Sequence, residues 1–124
     1  MNQHPIWKHI DENADRLRAL SDNVWAVPET CYAEHKSVAL HIEELEAQGF
    51  RITKEAAGIP TAVIGEAGEG GPVIGFLGEF DALAELSQVA DVAEPKALES
   101  GANGHGCGHN MLGSAAMLAA IALK

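Results

Sequence analysis

Residues 73–78 have the sequence Val-Ile-Gly-Phe-Leu-Gly, in which apolar and small residues follow one another without polar alternation. Such a run is typical of a strand that is buried on both faces, as in the centre of a parallel sheet. Asp81 comes just beyond the run, and open α/β sheets gather their ligand-binding groups at that end of the strands. The stretch therefore predicts a central strand that delivers Asp81 to a functional site.

Two helices are predicted before this strand. Apolar residues recur at three- and four-residue steps from 6 to about 27, which indicates an amphipathic helix that Pro28 ends. A second helix begins near Glu34 or Ser37, and Gly49 is the residue expected just past its end.

The remaining segments complete an α/β pattern. Short β-prone runs at 50–53 and 61–65 predict two strands, and residues 83–100 form a long connection with one helical turn at most. Asn110 is expected to cap a last helix over 111–124, whose small residues permit close packing on a sheet. We therefore expect an α/β fold.

Composition limits the classes of function. The chain has 124 residues with 47% apolar and 21% charged, which is ordinary for one globular domain. A net charge of −10 argues against nucleic acid and anionic membrane as partners, because these require clustered Lys and Arg. The start lacks the apolar core of a signal peptide, so we expect a cytoplasmic protein. Two cysteines in unlike surroundings, Cys31 and Cys107, do not indicate a disulfide framework.

Residues 104–110, Gly-His-Gly-Cys-Gly-His-Asn, carry the strongest chemical signal. Cys107 and His109 are separated by one residue, so an extended backbone points both side chains the same way, as two ligands of one metal require. Zinc suits a site of Cys, His and carboxylate, although other divalent metals fit too. Two ligands fall short of a complete site, so spacing alone leaves a structural role equally open. His105 is a third ligand, a residue that supports the ligands, or an exposed loop histidine, and the latter two interpretations are favoured.

The acidic residues after the central run allow two interpretations. Asp81 either serves a site or caps a turn, and the two are comparable from sequence. Glu79 alternates with it, but nothing in the spacing separates a catalytic pair from an exposed strand end, so Glu79 receives no role. The remaining histidines lie on or near amphipathic helices and are expected at the surface; these are His4, His9, His35 and His41.

Together, 78–83 (Gly-Glu-Phe-Asp-Ala-Leu) and 104–110 resemble the M20 family of metallopeptidases and amidohydrolases, most of all its aminobenzoyl-glutamate hydrolase branch. Residues 28–37 are similar to the family's segment between its first two helices. The resemblance implies a three-layer zinc-peptidase-like sheet with flanking helices, two zinc or manganese ions, and an inserted domain for dimerisation and closure that these 124 residues lack. It implies that Cys107 and His109 are metal ligands and that Asp81 orients the site.

The same resemblance implies hydrolysis of amide bonds in small N-acyl or N-aryl amino acids by a metal-activated water. The family's catalytic Glu-Glu pair and remaining ligands would lie beyond Lys124, and Glu43-Glu44 on the second helix cannot replace that pair. We therefore expect 1–124 to be the N-terminal portion of an M20-type catalytic domain, inactive alone and prone to self-association or homo-oligomer formation. The alternative is a non-catalytic interaction or structural module. Ala84-Glu85 and Asn110 depart from common family residues, which leaves the substrate open.

Overall fold

The computed structural model describes residues 4–124, which form three helices and one antiparallel sheet. Met1 to Gln3, part of the start considered for a signal peptide, lie outside the described residues. None of the helices within 4–124 is both long and apolar enough to cross a bilayer. The elements are α1 (Pro5–Trp25), α2 (His35–Ala47), β1 (Arg51–Lys54), a 3-10 turn (Ala56–Gly58), β2 (Val63–Glu66) and α3 (His109–Leu123).

The three helices and the two short strands confirm the sequence-based expectations to within a few residues. The buried apolar core lies between α1 and α3, where Leu17, Leu20 and Val24 of α1 meet Met117 and Ile121 of α3. The spacing of the α1 residues puts them on one face of the helix, as the amphipathic pattern predicted. The chain thus has mixed helix and sheet, with its core formed by residues far apart in sequence.

The predicted central strand at 73–78 is wrong. Val73 is 91% exposed and Leu77 is 88% exposed, and β1 and β2 pair only with each other within the described residues. A run without polar alternation signals burial on both faces, but a strand also needs neighbours that satisfy its backbone groups. Gly78 is exposed as well, although it passes close to α3, where a Cβ added to it would lie 3.0 Å from Ala116. The three-layer sheet remains a prediction.

Glu29, between α1 and α2, caps α2 from a distance. Its carboxylate accepts hydrogen bonds from the backbone N–H of Lys36 at 3.0 Å and of Ser37 at 2.9 Å, and from the Ser37 hydroxyl at 3.0 Å. These N–H groups lie in the first turn, where the helix itself offers them no acceptor. The Glu29 carbonyl also accepts from the Ala82 N–H at 2.7 Å. Glu29 therefore joins α2 to the segment that carries Asp81.

Replacing Glu29 by Ala should destabilise the fold. The substitution leaves the N–H groups of the first turn of α2 without their acceptor, and loss of a helix cap costs about 0.5–2 kcal/mol. Urea denaturation followed by circular dichroism measures this free energy of unfolding. The matched control is Glu43→Ala, which removes a carboxylate from the same helix without touching its first turn. Equal stability of the two variants would show that the cap contributes nothing.

His41 is buried, so the expectation that it lies at the surface is wrong. It is 3% exposed, and its ring stacks on Phe80 with 4.6 Å between centroids and 29° between planes. Its Nδ1 lies 2.9 Å from the Ser37 carbonyl oxygen, which requires a proton on Nδ1. Burial lowers the pKa of His41 below its ordinary value of 6.5, and the hydrogen bond to Ser37 opposes this only in part. His41 is therefore held in the neutral form.

This burial makes stability depend on pH. Below about pH 6.5 the unfolded chain protonates His41 while the folded chain does not, so the free energy of unfolding falls with decreasing pH until the lowered folded pKa is reached. The slope is at most about 1.4 kcal/mol per pH unit. Urea titrations of wild type and His41→Asn from pH 7.5 to 5.5 should show a shallower loss in the variant. Parallel losses would contradict the assignment, because His105, whose pKa is also lowered, is present in both.

Candidate metal centre

Two carboxylates converge on the imidazole of His109. The Nδ1 atom of His109 lies 2.7 Å from Oδ1 of Asp81, and its Nε2 atom lies 3.1 Å from Oε2 of Glu79. One potential ligand atom from each of the three residues falls within 4.8 Å of the others. The His109 and Asp81 side chains are 19% and 24% exposed, whereas that of Glu79 is 54% exposed. The cluster is thus open on the Glu79 side.

His109 is the first residue of α3. Gly108 precedes it with a φ of 79°, in the left-handed region that favours glycine, and it turns the chain into the helix. The expectation that Asn110 caps this helix is wrong. Asn110 lies inside α3, is 6% exposed, and donates through Nδ2 to the Ser21 hydroxyl at 3.0 Å. This bond ties the start of α3, and with it His109, to α1.

The Asp81 side of the cluster is held by the connection between α1 and α2. Thr30 and Ala82 form an isolated parallel bridge, which includes the hydrogen bond from the Ala82 N–H to the Glu29 carbonyl. Leu83 and Gly104 then form an antiparallel bridge with two hydrogen bonds of 3.0 Å. The two segments that carry the cluster are therefore joined through their backbones.

Gly104 allows a close crossing of two backbones. A Cβ at this position would lie 1.9 Å from the Leu86 carbonyl oxygen and 2.9 Å from the Ser87 nitrogen, so no other residue fits without backbone movement. The long connection predicted at 83–100 is in fact a loop closed at its base by this crossing and by the Leu83 bridge. Glycine is needed at 104 because another part of the backbone passes close to it. The spacing of the predicted metal ligands did not reveal this requirement.

His105 anchors the glycine-rich segment. Its Nε2 lies 3.1 Å from the Val24 carbonyl oxygen at the end of α1, and burial lowers its pKa. Asn103 Nδ2 donates to the Pro28 carbonyl at 3.1 Å. Of the three sequence-based interpretations, an exposed loop histidine does not fit this partly buried position. His105 supports the segment in which His109 lies.

Cys107 is not one of the three clustered residues. Its side chain is exposed. Cys31 is exposed as well, and both thiols are free. The structure thus unites two of the three site residues predicted from sequence and adds Glu79. The signal for Glu79 was its alternation with Asp81, which places both side chains on the same side of an extended backbone.

Gly113 determines how closely Glu79 approaches α3. A Cβ added at Gly113 would lie 2.9 Å from the Glu79 carbonyl oxygen and 2.8 Å from Nε2 of His41. Both distances are too short for a normal contact, so any side chain at 113 would displace the Glu79 backbone or the His41 ring. The missing side chain therefore helps to place Glu79 beside His109.

The chain aligns with curated proteins along almost its whole length. It is 48% identical over 123 residues to a p-aminobenzoyl-glutamate hydrolase subunit of Escherichia coli (strain K12), an alignment that covers 96% of this chain and 26% of the relative. The Xaa-Arg dipeptidases of Mus musculus and Homo sapiens are each 31% identical, over 94% and 93% of this chain. The chain belongs to the M20 family.

This M20 chain spans about a quarter of the length of the curated relatives that it matches. No protein-family profile matches it. The membership confirms the resemblance inferred from residues 78–83 and 104–110. In this M20 chain the two motifs, which are distant in sequence, are joined in space by the Leu83–Gly104 bridge and by the contact of Asp81 with His109.

Gly113→Ala should lower the free energy of unfolding, although a change from glycine to alanine within a helix usually raises it. Alanine in a helix interior normally stabilises by about 0.5–1 kcal/mol relative to glycine. Here the overlap with Glu79 and His41 should outweigh that gain, since overpacking costs about 1–3 kcal/mol. Urea denaturation tests the sign. Gly75→Ala is the control because its Cβ would meet nothing within 4 Å, and a Gly113→Ala protein more stable than wild type would refute the close approach.

Proposed function

We propose that the chain contributes part of the metal site of a metal-dependent hydrolase of amide bonds in N-acyl or N-aryl amino acids. The observation that carries the proposal is the imidazole of His109 between the carboxylates of Glu79 and Asp81. The names of the relatives, an aminobenzoyl-glutamate hydrolase subunit and dipeptidases, support an amide substrate with an amino-acid portion. Substrates of the aminobenzoyl-glutamate type, with an aryl group on the acyl side, fit this class.

The distances in the cluster fit a metal ion. Two ligand atoms that each lie about 2.1 Å from a tetrahedral ion are about 3.4 Å apart, close to the 3.1 Å between His109 Nε2 and Glu79 Oε2. On the other nitrogen, a hydrogen bond of 2.7 Å to Asp81 is the kind of support that metal-bound histidines receive. Histidine and carboxylate donors suit zinc or manganese.

These distances suggest a role for each side chain. His109 would bind metal through Nε2, and Glu79 would supply a carboxylate ligand. Asp81 would accept the Nδ1 proton, fix the tautomer of His109 and make the imidazole a better donor. Cys107 remains a predicted ligand, and its exposed thiol, two residues before His109, is free to take part.

When bound, zinc or manganese polarises an amide carbonyl and acidifies a water molecule. Glu79 faces solvent more than its partners do, so the substrate would approach from its side. The cluster supplies one imidazole and two carboxylates, fewer donors than the two ions of a complete M20 site would need. We therefore propose that these 124 residues alone do not hydrolyse the substrate.

The protein is also proposed to associate with other chains, including copies of itself. The bacterial relative is named as a subunit, and the exposed apolar side chains of Val73 and Leu77 are the type that other chains cover.

Metal binding tests this function. Calorimetric titration of the chain with Zn²⁺ or Mn²⁺ should show saturable binding. His109→Ala should weaken it by more than the roughly 10–100-fold typical of losing a supporting partner. His35→Ala, which removes an exposed histidine, is the control and should bind like wild type. The proposal fails if wild type binds neither metal, or if His109→Ala binds as well as His35→Ala.

Cys107→Ser tests the predicted thiolate ligand in the same titration. If the thiolate contributes, the variant should bind Zn²⁺ at least about tenfold more weakly, because serine offers a poorer ligand than a thiolate. Cys31→Ser, which changes the other exposed thiol, is the matched control. Unchanged affinity of Cys107→Ser would remove Cys107 from the site and leave the three-residue cluster as the proposal.

A further inference from the structure

Phe80 lies between Glu79 and Asp81 in sequence, and its side chain points to the opposite side of the chain from the two carboxylates. Glu79 and Asp81 both reach His109, whereas Phe80 packs against the core formed by α1 and α3. Any shift of the Phe80 ring along the core would move the two carboxylates with it. The site therefore depends on what holds Phe80.

His41 lies against Phe80 on that inner side. The two rings are stacked at 4.6 Å, and the Nδ1 bond to the Ser37 carbonyl fixes the orientation of the His41 ring relative to α2. The Nε2 edge of His41 faces Gly113, close to the Glu79 carbonyl, and this buried nitrogen has no hydrogen-bond partner among the described residues. A purely apolar side chain would fill this place without leaving a buried polar atom unpaired, which costs stability.

We propose that His41 is a positioning residue for the metal cluster: its flat ring, wedged between Phe80 and Gly113, sets the separation of the Glu79 and Asp81 carboxylates around His109. The face of the ring packs on Phe80 and its Nε2 edge lies at Gly113, where an added Cβ would come within 2.8 Å of it, and the bond to Ser37 stops the ring from turning. This inference rests on the proposed metal-binding function and adds to it a residue that contacts neither metal nor substrate.

The alternative is that His41 contributes to stability alone. Ile52, a partly buried residue of β1, provides the comparison, because Ile52→Ala removes apolar contacts outside the core on which Phe80 packs and outside the metal cluster. A residue that acts only through stability changes the free energy of unfolding but not the Co²⁺ affinity of the folded protein. A positioning residue changes both.

The experiment is a Co²⁺ titration followed by visible absorption, since the d–d bands report the geometry of the ligands. His41→Asn keeps a donor for the Ser37 carbonyl but loses the ring, and His41→Leu loses both. We expect both variants to bind Co²⁺ about tenfold or more weakly, in the range seen for losing a supporting partner, and to show altered bands at saturation. Ile52→Ala should stay within about twofold of wild type, with unchanged bands.

Phe80→Leu removes the other ring of the stack. It replaces the His41 variants as the test if these do not fold. It should weaken Co²⁺ binding and change the bands in the same way. The inference is overturned if the folded His41 and Phe80 variants bind Co²⁺ with the affinity and spectrum of Ile52→Ala. A wild-type chain that binds no Co²⁺ defeats the proposed function and this inference together, whereas normal binding by the His41 variants defeats the inference alone.

Discussion

The hydrogen bond from the Ala82 N–H to the Glu29 carbonyl holds the structure together around the site. It connects the end of the segment that carries Glu79 and Asp81 to the turn that follows α1. The carboxylate of the same Glu29 residue organises the first turn of α2. A single residue thus sets the start of one helix and the position of the acidic segment. His109 completes the arrangement from α3, whose own start is tied to α1 by Asn110 and Ser21.

The cluster concentrates negative charge in a chain that is already acidic. Two carboxylates near each other repel, and the chain as a whole already carries a net charge of −10. The imidazole of His109 is the group that lies between them. A divalent cation would relieve the same repulsion more fully than a single proton, because it carries twice the charge. This electrostatic imbalance is what makes the cluster suited to a metal.

Local patterns predicted the helices and the β1–β2 hairpin, because periodicity and stop signals such as Pro28 and Gly49 act within a few residues. The absence of a strand at 73–78 could not be predicted in the same way, since the apolar composition of this run says nothing about whether neighbouring strands are present to pair with it. For His41, a place on an amphipathic helix suggested the surface, and only the packing of α3 through Gly113 revealed burial. Within the candidate site, the motifs indicated Asp81 and His109, whereas the place of Glu79 beside His109 emerged only when both motifs met in space.

The crossing at Gly104 has a consequence for how this protein can diverge. The loop from Leu83 to Gly104 leaves and returns through one bridge, so its two ends are fixed side by side whatever lies between them. Adding residues to a closed loop costs little free energy, because the entropy of closure grows only with the logarithm of length. Insertions and deletions between these two residues can therefore accumulate while the bridge keeps Asp81 and His109 in register.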